Sequence, residues 1–176
     1  GLPELSMRVR VGRNLKAFPL PGAMTQEDRC NMENFMLKAF ENLISNPDYG
    51  GKYCSFTPGH ANFVDEAEYQ ALVDAHIAFK DMSADCYLLS AGIAQHWPHG
   101  RGVFHSPDKT FVNWVNEGDH LRIISMQEGG DVKAVFARLS AGAKAIEEGV
   151  RSVTKAEGEI FMMHPKFGSV TCCPSN

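Results

Sequence analysis

An α+β domain, a mostly antiparallel sheet flanked by helices, is what this sequence predicts. Three observations carry that prediction. Apolar residues recur at helical spacing in three stretches, around residues 32–43, 69–73 and 132–146. Alternating or short apolar runs at 6–13, 53–56, 103–105, 111–115 and 121–126 read as strands. These runs come as a hairpin and as isolated pieces, without the regular βαβ alternation that builds a parallel sheet.

Taken in order, Ser6-Met7-Arg8-Val9-Arg10-Val11-Gly12-Arg13 alternates with period two. Arg8 and Arg10 therefore share one strand face, while Met7, Val9 and Val11 share the other. Pro19 and Pro21 interrupt the chain. Thr25, with Asp28 three residues on, resembles a helix N-terminus. Met32, Phe35, Met36, Ala39, Phe40 and Leu43 give that helix one apolar face. Asn46-Pro47-Asp48-Tyr49-Gly50-Gly51 stops it. A second helix is predicted from Asp65, carrying Tyr69, Leu72, Val73 and His76. Residues 81–102 are less regular, with local helix around Leu88-Leu89 and Ile93-Ala94.

Residues 110–131 form the most informative stretch. Phe111-Val112-Asn113-Trp114-Val115 and Leu121-Arg122-Ile123-Ile124-Ser125-Met126 flank the polar turn Asn116-Glu117-Gly118-Asp119-His120, which reads as a hairpin. Asp131 is the predicted N-cap of a long helix with Val132, Val135, Phe136, Leu139, Ala143 and Ile146 as its apolar stripe. A last strand is expected at 168–173.

At 176 residues with 44% hydrophobic content, the chain is one medium domain or a piece of a larger one, with enough apolar residues for a core. A net charge of −4 argues against a general nucleic-acid binder. No apolar stretch is long enough to span a bilayer, and the N-terminal residues carry no signal-peptide core. Five cysteines without CxxC spacing predict reduced thiols in a cytoplasmic protein. The seven histidines lack HxxxH or HExxH spacing, which points away from protein-bound zinc.

Arg8 and Arg10 on one strand face, with Arg122 on another strand, are the strongest chemical signal. Arginine stays charged and offers a planar donor fork suited to phosphate oxygens. Neither GxxxxGK[ST] nor GxGxxG occurs, so the arginines would have to make the cradle themselves. The same alternation also fits a solvated face whose arginines pair with acids. His76 reads as a helix-end surface residue or as a ligand. Glu117 and Asp119 either shape the turn, act as bases or orient a cationic substrate. Cys172-Cys173-Pro174 holds either inert thiols or a low-pKa thiolate.

Several motifs weigh on these alternatives by resemblance. Ser6-x-Arg8-x-Arg10-x-Gly12-Arg13, Trp97-Pro98-x-Gly100-Arg101-Gly102, Asp119-His120-Leu121-Arg122-Ile123-Ile124-Ser125-Met126-Gln127 with Gly129-Gly130, and Cys173-Pro174-Ser175-Asn176 resemble the catalytic domain of phosphagen (guanidino) kinases. Arginine kinase and creatine kinase are the best-known members. The resemblance runs from Ser6 to Asn176 in the family's order. It implies the glutamine synthetase-like antiparallel fold, and reversible transfer of the γ-phosphoryl of ATP, bound with Mg2+, to a guanidino substrate such as arginine. By position, Ser6, Arg8, Arg10, His76 and Arg122 would hold the nucleotide, ATP or ADP. Cys173 would be the reactive thiolate, and Glu117 and Asp119 the remaining acids of the site.

The resemblance also implies two departures. The family turn usually reads Asn-Glu-Glu-Asp-His, so Gly118 stands where the family has the carboxylate that orients the guanidinium. Residues 1–176 would be a partial catalytic domain, without the N-terminal helical domain or the C-terminal remainder. Open sheet edges would then favour a homodimer or association within a larger assembly. Weak catalysis by this chain alone is expected, and the alternative is an impaired descendant serving as a structural or interaction module.

Overall fold

The computed structural model of the chain describes residues 5–172. Its main sheet has five strands: β1 (Ser6–Arg13), β2 (Lys52–Ser55), β3 (Gly102–His105), β4 (Phe111–Val115) and β5 (Leu121–Glu128). They lie in the order β1-β5-β4-β3-β2, and every neighbouring pair is antiparallel. The predicted α+β class and the hairpin are thus both observed.

One sheet face is covered by α1 (Gln26–Ile44) and α4 (Val132–Thr154). Met32, Met36 and Phe40 of α1 and Leu139, Ile146 and Val150 of α4 pack on Phe104, Phe111, Val115, Leu121 and Ile123. Apolar burial of this extent is the dominant favourable term in folding. Thr25 caps α1 through a reciprocal box with Asp28, and Asp131 caps α4 by accepting from the Ala134 N–H.

The other face is covered only in part. Here α2 (Glu66–Asp74), capped by Asp65, and the segment after it lay Leu72, Val73, Ile77, Phe79 and Met82 on Cys54, Val103, Val112, Trp114 and Ile124. A short α3 (Cys86–Ser90) follows. Arg8 and Arg10, on the same side at the β1 edge, stay exposed. The partial cover is what leaves a site open.

Three expectations need correction. The apolar stripe expected of α4 includes Val132 and Phe136, yet they are 51% and 59% exposed; the helix is buried through Val135, Leu139, Ile146 and Val150, and Val132 and Phe136 lie off that buried side. His76 lies outside α2, which ends at Asp74. The last strand shortens to β7 (Gly168–Ser169), which pairs with β6 (Met163–His164) in a separate ribbon. Among the described residues no helix is long and apolar enough to cross a membrane. Cys30, Cys54 and Cys86 are free thiols.

Candidate active site

Register brings the three arginines together. Along β1–β5, Arg8 faces Met126, Arg10 faces Ile124 and Gly12 faces Arg122. Directly opposed residues of an antiparallel pair project to the same side, so Arg8, Arg10 and Arg122 share one face. Trp114 stands opposite Arg122 on β4 and extends that face. The guanidinium carbon of Arg8 lies 5.0 Å from the Trp114 ring centroid and that of Arg122 5.6 Å from it. A single indole thus serves as a floor for two cations. Partial desolvation, then the neighbouring charges of Arg10 and Arg122, hold the Arg8 pKa below its ordinary value, with Glu117 opposing them. An anion placed among these three groups would relieve their mutual repulsion.

Glu117 belongs to this face. Its Oε2 sits 3.1 Å from Arg122 Nη2, with the two side chains 18% and 6% exposed. The same oxygen accepts from the Gly118 N–H at 2.6 Å. The Nε of Arg122 is buried and has no acceptor among the described residues. Such an orphaned charged donor is uncommon and costly.

His76 owes its position to the way α2 ends. Its N–H returns to the Val73 carbonyl and that of Ile77 to Leu72, with His76 itself left-handed at φ 59°. The imidazole is thereby presented at the cleft edge. Arg8, His76, Trp114 and Glu117 line a cleft of about 350 Å3. Ser6, Arg8 and His76 border an adjoining one of about 500 Å3, with Thr110 and Gln127. Sizes of this order suit a nucleotide-sized ligand.

Asp119 is placed differently. It is fully buried, and its carboxylate accepts from Asn14 Nδ2 at 2.8 Å and from the Cys172 backbone N–H. It thereby ties the turn to β1 and to the segment leading towards Cys173. Cys173 itself lies outside the described residues.

Supports of the turn that the sequence did not single out are Asn116, Arg101 and Asn14. Asn116 is left-handed at φ 54° and donates from Nδ2 to the Gly100 carbonyl at 2.7 Å. Its own carbonyl accepts from Arg101 Nε at 3.1 Å, and the Arg101 guanidinium also reaches the carbonyls of Ile93 and Gln95. Asn14 Oδ1 accepts from the His120 N–H. Arg101 between two glycines and the asparagines that follow β1 and β4 were the available signals, but most of their partners are far away in sequence.

Residues 31–176 match the family model described as ATP:guanido phosphotransferase, C-terminal catalytic domain. The chain belongs to that family. As an ATP:guanido phosphotransferase catalytic domain it is 40% identical over 172 residues to the creatine kinase M-type of Canis lupus familiaris. It is 41% identical, also over 172 residues, to the creatine kinase testis isozyme of Oncorhynchus mykiss. These matches take in 98% of this chain and 42% of each relative, so the chain spans about two-fifths of their length. Among solved structures, a lombricine kinase superposes with a TM-score of 0.80 at 31% identity, over 97% of this chain and 44% of that one. The duplicated taurocyamine kinase from Schistosoma mansoni with bound transition state analog components also gives 0.80, at 38% identity, over 98% of this chain and 22% of that one.

Proposed function

We propose that the protein is an ATP:guanidino phosphotransferase whose nucleotide phosphates bind the Arg8, Arg10 and Arg122 face, with Ser6 and His76 at the nucleotide. The observation that carries this reading is the gathering of three guanidinium groups on one sheet face, two of them over Trp114 and one of those with an orphaned donor. Phosphoryl transfer asks the protein mainly for in-line positioning and charge compensation. Fixed guanidinium groups supply both without reorganising during the reaction. Magnesium would arrive with the nucleotide as part of the substrate. The relatives are creatine, lombricine and taurocyamine kinases by name, so a guanidino group is the shared feature of the acceptor; arginine is the acceptor to try first. Cys173 and Glu117 are the proposed groups beside that acceptor, and Asp119 is proposed to hold the segment that carries Cys173. A cytoplasmic location and self-association belong to the same proposal.

Arg10→Gln is the variant that tests it, because Arg10 is exposed and its loss spares the core. Charged hydrogen bonds contribute about 1.5–3 kcal/mol each, so MgATP affinity should fall at least tenfold in calorimetric titration with Tm unchanged. Undetectable MgATP binding by the unmodified full-length protein at millimolar concentration would overturn the reading.

A further inference from the structure

Arg122 is the most buried of the three arginines, and its fork is already engaged by a carboxylate of the same chain. A phosphate arriving at Arg122 would meet the Glu117 anion in a poorly hydrated place, where like charges repel strongly. We infer that Glu117 exchanges partners: it holds Arg122 in the nucleotide-free protein, is released when phosphate engages that arginine, and then receives the cationic guanidino acceptor. This inference rests on the phosphotransferase reading above.

Four features support the exchange. The ion pair uses Nη2 of Arg122 and leaves buried Nε without an acceptor, whereas a phosphate can satisfy Nε and an Nη together. Apart from Arg122, the described hydrogen bond of the Glu117 carboxylate is to the adjacent Gly118 N–H, so release requires only a side-chain rotation. The turn around it is clamped by Asn116, Arg101 and Asp119, which keeps the rotating carboxylate at the cleft. Asp81 and Asp85 line the same cleft, but they cap the N–H groups of Ser83 and of Tyr87 and Leu88. Of the three carboxylates lining this cleft, Glu117 is thus the one paired with an arginine, and Gly118 beside it offers no side chain to do the work. Nucleotide should therefore bind before the acceptor.

The test compares wild type, Glu117→Gln and Glu117→Gln/Gly118→Glu in the full-length protein. MgADP titration and turnover with arginine and with creatine are the readouts. The exchange predicts that E117Q binds MgADP at least threefold more tightly yet turns over at least tenfold more slowly. The double variant should regain turnover, because its new carboxylate stands in for the lost one. In wild type, acceptor binding should be detectable only with MgADP present. An active wild type whose E117Q variant keeps its turnover, or binds MgADP no more tightly, overturns the exchange and leaves the functional reading standing. A wild type that binds no MgADP overturns both.

Discussion

Asn113 is the residue that least fits its surroundings. It is fully buried on β4 between Phe104 and Ile123, and neither atom of its amide has a partner among the described residues. A desolvated, unsatisfied amide costs more than a methyl group of similar size returns. Asn113→Val should therefore stabilise the protein by about 1–2 kcal/mol, read as a higher urea midpoint at constant m-value. An unchanged midpoint would mean that internal water already satisfies the amide. His120 shows the opposite, a buried polar group fully satisfied in one protonation state. Its Nδ1 accepts from the Leu15 N–H, while Nε2 donates to the Pro19 carbonyl. Burial, partly offset by the Pro19 carbonyl and Asp119, lowers its pKa from 6.5 to about 4. The unfolded chain therefore takes up this proton first as pH falls. Stability from His120 is complete above about pH 6.5, declines between there and pH 4, and changes no further below. The loss should reach about 3 kcal/mol, and His120→Gln should flatten that part of the Tm–pH curve.

At the scale of elements, α4 is seated by its small residues. A Cβ on Gly149 would stand 2.2 Å from the Ala39 carbonyl oxygen of α1, and one on Gly142 would stand 2.2 Å from the Phe111 ring. Alanine favours a helix over glycine by about 1 kcal/mol, but overpacking a rigid backbone contact costs about 1–3 kcal/mol. The clash should win: Gly149→Ala is expected to lower Tm in a calorimetric scan. Helix starts were legible, because the caps at Thr25, Asp65 and Asp131 are local signals, each confirmed by a side-chain oxygen on a backbone N–H. The apolar stripe of α4 was legible in its middle and not at Val132 and Phe136. Periodicity states which side of a helix is apolar but not how much of that side its neighbours cover.

For the whole molecule, the decisive event is the pairing of β1 with β5. These strands lie more than a hundred residues apart, and their register alone aligns Gly12 with Arg122. A ligand bridging Arg8 and Arg10 to Arg122 should therefore stabilise the sheet as a unit. MgADP at about a hundred times its Kd should add about 2.7 kcal/mol, a rise of several degrees in Tm. Arg10→Gln should shrink that rise at the same nucleotide concentration, measured by differential scanning fluorimetry.

By itself the sequence determined the α+β class, the hairpin, the helix caps and the pairing of Arg8 with Arg10 on one face. All of these follow from periodicity and capping, which act over a few residues. The motifs around Arg122 pointed to the family, to which the chain belongs. Only the tertiary structure decided which arginines meet and that Trp114 lies beneath two of them. It also decided that Glu117 faces Arg122, while Asp119, two residues on, turns inward to Asn14. Two acids so close in sequence look alike until register, burial and distant partners separate them.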